Sequence, residues 1–190
     1  MTLRRLAVLL CLTLATAPAL AAWDVAQLMA ELAKNPGGRA LFTEKKYIAL
    51  LDKPVTSSGE MRYVAPDFLE KRTLQPRPEL LLLDKDAITL ERGKQKITLR
   101  LTEQPEILAF VDSIRGTLSG NRQALERNYA LYLSGSREAW SLTLSPSNAR
   151  IAELVTRITL GGSRQQVRSV EYLQADGDRS VMSIDPIDGK

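Results

Sequence analysis

The amino-acid sequence predicts an α+β fold that is mainly β: a strongly curved antiparallel sheet forming an unclosed barrel, with helices covering the open face. Three observations point there. Most of the chain alternates apolar and polar residues in short runs bounded by hairpin turn signals. Clear helical spacing of apolar residues marks one stretch near the start and one in the middle. The nine or ten strands that result are too many for one flat sheet in a chain of this length, so the sheet must curl.

The elements follow in order. Trp23–Lys34 reads as an amphipathic helix, because Val25, Leu28, Met29 and Leu32 recur at spacings of three and four. Asn35-Pro36-Gly37-Gly38 stops it. Arg39–Leu51 is the first strand, with Leu41, Tyr47 and Leu51 apolar among charges. Met61, Tyr63 and Ala65 then alternate with Glu60, Arg62 and Val64, and Pro66-Asp67 makes a turn. Phe68–Leu74 returns, bounded by Gln75-Pro76-Arg77-Pro78. Leu80–Leu83 is an unbroken apolar run that enters the turn Asp84-Lys85-Asp86; Ala87–Arg92 follows, then a turn at Gly93. Ile97, Leu99 and Leu101 alternate with Lys96, Thr98 and Arg100, the clearest strand pattern in the chain.

The period then switches. Across Gln104–Leu118 the apolar residues Ile107, Leu108, Val111, Ile114 and Leu118 keep helical spacing, and Asn121–Asn128 continues as a short helix after a break at Ser119-Gly120. Strands resume at Tyr129, Leu131 and Leu133, and after Ser134-Gly135-Ser136 at Trp140, Leu142 and Leu144. Ser145-Pro146-Ser147-Asn148 reads as a turn or helical cap. Ile151–Leu160 fits helix or strand, with strand favoured from Val155. Gly161-Gly162 turns into Val167, Val170 and Tyr172, Asp176-Gly177-Asp178 signals a hairpin, and Met182 and Ile184 close the last strand.

Residues 1–21 read as a cleaved secretory signal peptide. Arg4 and Arg5 precede an apolar run too short to span a bilayer, and Ala19-Leu20-Ala21 supplies the small-residue cleavage site, with cleavage expected after Ala21; cleavage after Ala22 and an uncleaved anchor are the alternatives. The expected mature chain, residues 22–190, is one domain that has lost Cys11, the only cysteine. It carries 24 basic and 22 acidic residues, scattered among one another, a balance that gives no reason for nucleic acid to bind.

Histidine is absent, which excludes Ser-His-Asp and Cys-His hydrolases and the zinc enzymes built on histidine. The carboxylates Glu44, Glu60, Asp67, Glu70 and Glu79 show no pairing that marks a glycosidase, and they read as solvated charge. No calcium-loop spacing follows Asp176-Gly177-Asp178, and no phosphate-binding glycine loop occurs. Nothing calls for a metal or a cofactor. The apolar strand residues offer more. Met61, Tyr63, Leu82, Ile97, Leu99, Trp140, Leu142 and Leu144, with Phe42 and Phe68, are the expected concave lining. The same pattern serves a filled core or a cavity for an apolar ligand. The helix holding Ile107, Leu108, Val111, Ile114 and Leu118 covers it as a simple cap or as a lid. If these positions line a cavity, a charge at Leu99 or Leu142 reduces lipid uptake.

Several short motifs then resemble one family. Phe42-Thr43-Glu44-Lys45, Ser58-Gly59-Glu60-Met61-Arg62-Tyr63 and Pro66-Asp67 resemble the bacterial outer-membrane lipoprotein carriers, the LolA-like proteins. Asp84-Lys85-Asp86 falls where that family has an Asp-Gly-Lys-type hairpin, and Trp140–Pro146 looks like its strand ending in a Leu-Thr-Pro-like turn. Order and spacing carry the resemblance over most of the mature chain. It implies an unclosed barrel with a helical lid and an apolar cavity for acyl chains. It further implies a monomeric periplasmic carrier, without catalysis. Such a carrier takes acylated cargo, a lipoprotein or a lipid, from an inner-membrane release or export complex to an outer-membrane acceptor. Ala65 stands where carriers have a basic residue linked to lid closure, which marks a divergent relative. Glycolipids, aryl-polyene lipids and other acylated products are then candidate cargo. The other functional classes open to such a chain are an envelope scaffold or sensor that binds a protein along a sheet edge, and a carboxylate-based hydrolase.

Overall fold

The structure, a computed structural model, describes residues 23–187. The expected signal peptide lies outside the described residues. Eleven strands rather than nine or ten form one continuous antiparallel sheet: β1 (Gly37–Tyr47), β2 (Val55–Val64), β3 (Phe68–Gln75), β4 (Glu79–Asp84), β5 (Ala87–Arg92), β6 (Gln95–Arg100), β7 (Tyr129–Ser136), β8 (Ala139–Pro146), β9 (Val155–Ser163), β10 (Gln166–Gln174) and β11 (Arg179–Pro186). The helices are α1 (Val25–Leu32), α2 (Pro105–Leu118), α3 (Arg122–Glu126) and α4 (Ala149–Ala152).

The strand order is β6-β5-β4-β3-β2-β1-β11-β10-β9-β8-β7. The first strand therefore starts in the middle of the sheet. Successive hairpins carry the chain to one edge at β6, and a second series brings it back from the far edge at β7 until β11 pairs with β1. The two edge strands do not pair, so the barrel stays open. The chain between them must cross the concave side, and it does so as α2 and α3. This crossover places a helix over the open face without any additional element.

Local chemistry sets these boundaries. Asp24 caps α1 by accepting from the Gln27 backbone N–H, while the Gln27 side chain accepts from the Asp24 N–H, a capping box. Pro105 opens α2 at the position where its missing N–H costs nothing. At the other end the Asn121 N–H donates to the Gly116 carbonyl and the Gly120 N–H to the Thr117 carbonyl, a Schellman stop with Gly120 at φ +66. Asn148 caps the one-turn α4, so the stretch after Ile151 divides into a helical turn and then β9.

Two cores hold the fold together. The larger gathers Leu28, Met29 and Leu32 of α1, Leu125 of α3, Ile151 of α4 and the inward residues of β7 to β10, among them Trp140, Leu142, Leu144, Ile158 and Leu160. The smaller joins Leu83, Leu101 and Val111, with Leu69, Ile88, Ile107 and Leu108 against them. Helix α2 belongs to both, through Ala109 on one side and Val111 on the other. Arg115 of α2 also donates to the Lys85 carbonyl in the β4–β5 turn (2.9 Å), and Tyr129 of β7 donates to the Ala109 carbonyl (3.2 Å). The crossover helix is thereby tied to both halves of the sheet.

Candidate functional site

Cross-strand pairing shows which residues share the concave face, because directly opposed residues in an antiparallel sheet point to the same side. One row runs Tyr63, Leu69, Leu83, Ile88, Leu99 from β2 to β6. Another runs Glu44, Met182, Val170, Leu160, Leu142, Leu133 from β1 through β11 to β7. The two sides of the sheet treat this face differently. Over β7 to β9, helices α1 and α3 fill the hollow with side chains. Over β1 to β4, β10 and β11, only α2 lies above the sheet, and a cavity of about 810 Å³ remains. That volume suits a drug-sized or single-chain lipid ligand.

The roof of the cavity is one stripe of α2: Ile107, Phe110, Val111, Ile114 and Leu118. Its walls include Ala40, Met61, Tyr63, Leu69, Leu81, Leu83, Ile88, Leu160, Val170, Tyr172, Met182 and Ile184. Lining positions on β1 run from Gly37 to Lys46, about 30 Å of extended strand. One end is bounded by Asn35, Pro36, Gln165 and Pro186, the other by Lys46, Glu153, Leu154, Gln174 and Asp176. Phe110 on the roof meets Tyr172 on the wall with ring centroids 5.0 Å apart.

A buried ionic cluster sits in this otherwise apolar wall. Glu44 is 4% exposed; its carboxylate accepts from Lys71 Nζ at 2.5 Å and from Ser180 Oγ at 2.6 Å, and Lys46 Nζ stands at 3.8 Å. Burial alone raises the Glu44 carboxyl, but the charge and hydrogen bond of Lys71, with the Ser180 hydroxyl, outweigh it and hold the group below its ordinary value. Glu44 is therefore ionised at neutral pH. The Lys71 ammonium also lies 4.7 Å from the centre of the Phe42 ring, which supports it from below. Burial pushes the Tyr172 hydroxyl upward, with the nearby Glu44 charge adding to it, and pushes Tyr63 up to about 12.

The expected site residues divide into four groups. Met61 and Tyr63, with Ile107, Val111, Ile114 and Leu118 on the helix, stand on the cavity surface, while Leu108 packs beside it in the smaller core. Trp140, Leu142 and Leu144 point to the concave side but are covered by helices; they are 2%, 0% and 0% exposed, and do not line this cavity. Trp140 lies so close over Gly162 that a Cβ there would fall 2.3 Å from the indole ring, and its Nε1 donates to the Arg164 carbonyl. Phe42 is likewise buried, beneath Lys71. Ile97 and Leu99 face the concave side on the edge strand, beyond the reach of α2, and remain 54% and 38% exposed. Phe68 and Leu82 are corrected outright. Their neighbours Leu69, Leu81 and Leu83 face the cavity, so pleating turns Phe68 and Leu82 to the convex side, where Arg62 stacks on Phe68.

On β1 the inward set is Ala40, Phe42 and Glu44, whereas Leu41 and Tyr47 are half-exposed. Sequence reasoning missed Phe110 on the roof, much of the wall, including Leu69, Leu83, Ile88, Tyr172 and Met182, and the Glu44–Lys71 pair, whose carboxylate reads as solvated charge from the sequence. A signal existed for the last: the two residues flanking the inward Phe42 at a spacing of two are Ala40 and Glu44, so a strand read by parity puts a carboxylate inside.

The site is thus a helix-roofed apolar hollow in an open antiparallel half-barrel. Residues 15–184 match the family described as outer membrane lipoprotein carrier protein LolA-like, and the chain belongs to that family. The LolA-like fold carries lipid or lipoprotein binding as its class of function, is generally non-enzymatic, and belongs to periplasmic or envelope proteins. Among the described residues no helix is long and apolar enough to cross a membrane. Comparison with curated sequences gives no match. Among solved structures the chain is similar to a LolA superfamily protein from Nitrosomonas europaea, at 10% identity over 87% of this chain and 93% of that one, with a TM-score of 0.42. It is also similar to a DUF1329 family protein from Desulfovibrio piger, at 10% identity over 88% and 92%, with a TM-score of 0.46. A third is a chain of the Pseudomonas aeruginosa MucA/MucB complex, at 13% identity over 85% of this chain and 56% of that one, with a TM-score of 0.46.

Proposed function

We propose that this protein is a monomeric periplasmic carrier that holds the acyl chain of a lipoprotein or lipid in the cavity under α2 and shuttles it towards the outer membrane. One observation supports it above all: the half of the sheet without α1 and α3 keeps about 810 Å³ free between apolar walls. Each buried methylene contributes about 0.8 kcal/mol, so a chain of a dozen carbons gains roughly 10 kcal/mol before the ordering of chain and roof is subtracted. Apolar walls with few fixed donors grip the chain without reading its detail, which suits reversible handover. The segment 1–21 acts as the export signal in this reading. The donor is an inner-membrane release or export complex, and the acceptor lies at the outer membrane.

Native mass spectrometry of protein purified from the periplasm tests the reading. The expected spectrum shows a bound acyl species that organic extraction removes. Protein that is ligand-free as isolated, and takes up no acyl probe afterwards, defeats it. A second reading, a scaffold that pairs with a partner strand, draws on β6, whose residues are exposed along the whole strand. Delipidated protein that captures one envelope protein, and loses it when Thr98 is replaced by proline, favours that reading.

A further inference from the structure

One wall of the cavity carries a buried ionic cluster, and its hydrogen-bond stoichiometry is unbalanced. Both carboxylate oxygens of Glu44 are already engaged. Oε2 takes the Lys71 ammonium, and Oε1 takes the Ser180 hydroxyl with Lys46 Nζ at 3.8 Å. The donors are not spent. An ammonium has three protons, and Lys71 uses one on Glu44; its side chain keeps 20% exposure on the cavity surface. Lys46 lines the same surface and is half-exposed. Tyr172, opposite Ser180 on β10, lines the cavity too, and among the described residues its hydroxyl has no hydrogen-bond partner. Lys46, Glu153 and Asp176 are all exposed at that rim, where water satisfies them, so the inner surplus of donors belongs to Lys71 and Tyr172, and Lys46 adds positive charge at the mouth.

Resting on the carrier reading, we propose that the cavity selects an acyl ligand whose head carries oxygen acceptors, a carboxylate or an ester, and that this head sits between Lys46, Lys71 and Tyr172 while the chain runs under α2. The surplus donors are the reason. An acceptor head completes the inner wall, whereas a head that brings only donors leaves them unpaired and places a cation beside two ammonium groups. Because the Tyr172 ring packs on Phe110, the head also touches the residue that joins wall to roof. This gives a reason for an ion pair inside a lipid cavity: Glu44 orients Lys71 and leaves two of its protons directed elsewhere.

The test is displacement of the neutral fluorophore N-phenyl-1-naphthylamine by three ligands of equal chain length: palmitate, methyl palmitate and hexadecylamine. Palmitate and methyl palmitate are expected to compete at least tenfold better than hexadecylamine, and the ratio between the first two separates a charged head from a neutral one. In the double variant Lys46→Gln/Tyr172→Phe, which keeps the aromatic packing and the Glu44–Lys71 pair, the preference is expected to fall below threefold. Glu44→Gln, which removes the negative charge from the wall, is expected to tighten palmitate relative to the amine. Equal competition by acid and amine in the wild type overturns the proposal and leaves acyl binding intact, as does a preference unchanged in the folded double variant. Failure of all three ligands to displace the probe defeats the carrier reading itself, and this inference with it.

Discussion

Replacing Lys71 by methionine tests the cluster at its centre. The substitution keeps the length and apolar stem of the side chain and deletes the ammonium. Glu44, 4% exposed, then keeps only the Ser180 hydrogen bond and a 3.8 Å approach from Lys46. Breaking a buried pair on one side costs about 3–5 kcal/mol. Lys71 is partly solvated and Ser180 remains, so the lower end applies, about 3 kcal/mol at pH 7. For a domain of this size that lowers Tm by roughly 6–12 °C.

The pH dependence carries a second signature. In the wild type the folded-state value of Glu44 is depressed, so its contribution is present above the ordinary carboxylate range and is lost as pH falls through the depressed value. In Lys71→Met the burial effect is left largely uncompensated, and the folded-state value moves above the ordinary one. The penalty is then full at neutral pH and fades as acid protonates Glu44. Glu44→Leu/Lys71→Met removes both charges and should recover to within about 1 kcal/mol of wild type. Thermal unfolding followed by circular dichroism between pH 4 and pH 8 measures all of this. A loss below about 1 kcal/mol at pH 7, or a penalty that grows on acidification, refutes the account of Glu44 as a buried ion held by Lys71.

Three further outcomes follow from the geometry. Met61→Trp places a larger ring into free space on the cavity wall, so acyl uptake should fall several-fold while stability changes by about 1 kcal/mol or less; uptake is read by fluorophore displacement and stability by the urea midpoint. Leu99→Asp should leave uptake unchanged and stability within about 0.5 kcal/mol, because the residue lies on the exposed edge strand beyond α2; the same two assays check it, and reduced uptake would put the edge within the cavity. Gly120→Ala should cost roughly 2 kcal/mol or more in chemical denaturation, because the backbone stands at φ +66 and a Cβ would fall 2.2 Å from the Met29 carbonyl oxygen of α1.

Much of this architecture can be read from spacing alone. The α1 stripe Val25, Leu28, Met29, Leu32 and the α2 stripe Ile107, Val111, Ile114, Leu118 are local periodicities, and each becomes a helix with that face inward. Hairpin signals at Asp84-Lys85-Asp86 and Asp176-Gly177-Asp178 separate strands that pair as neighbours. Where alternation fails, the reading fails with it. Leu80–Leu83 is apolar at every position, so nothing local distinguishes Leu82 from Leu81 and Leu83; the inward side is chosen by register with Leu69 and Ile88.

Element types, the curved antiparallel sheet and the resemblance to lipoprotein carriers are legible in the residue order, because these depend on spacings within single segments. Tertiary structure alone decided which concave residues bound a hollow and which are plugged. Trp140 and Leu142 share the alternation of Met61 and Tyr63, yet α1 and α3 dock on the first pair while α2 stands clear of the second. Whether a side chain meets another side chain or open space depends on helices distant in sequence, and no pattern within a strand records their position. The same holds for Glu44, whose partners Lys71 and Ser180 arrive from β3, two strands away, and from the adjacent β11, and keep a carboxylate charged inside an apolar wall.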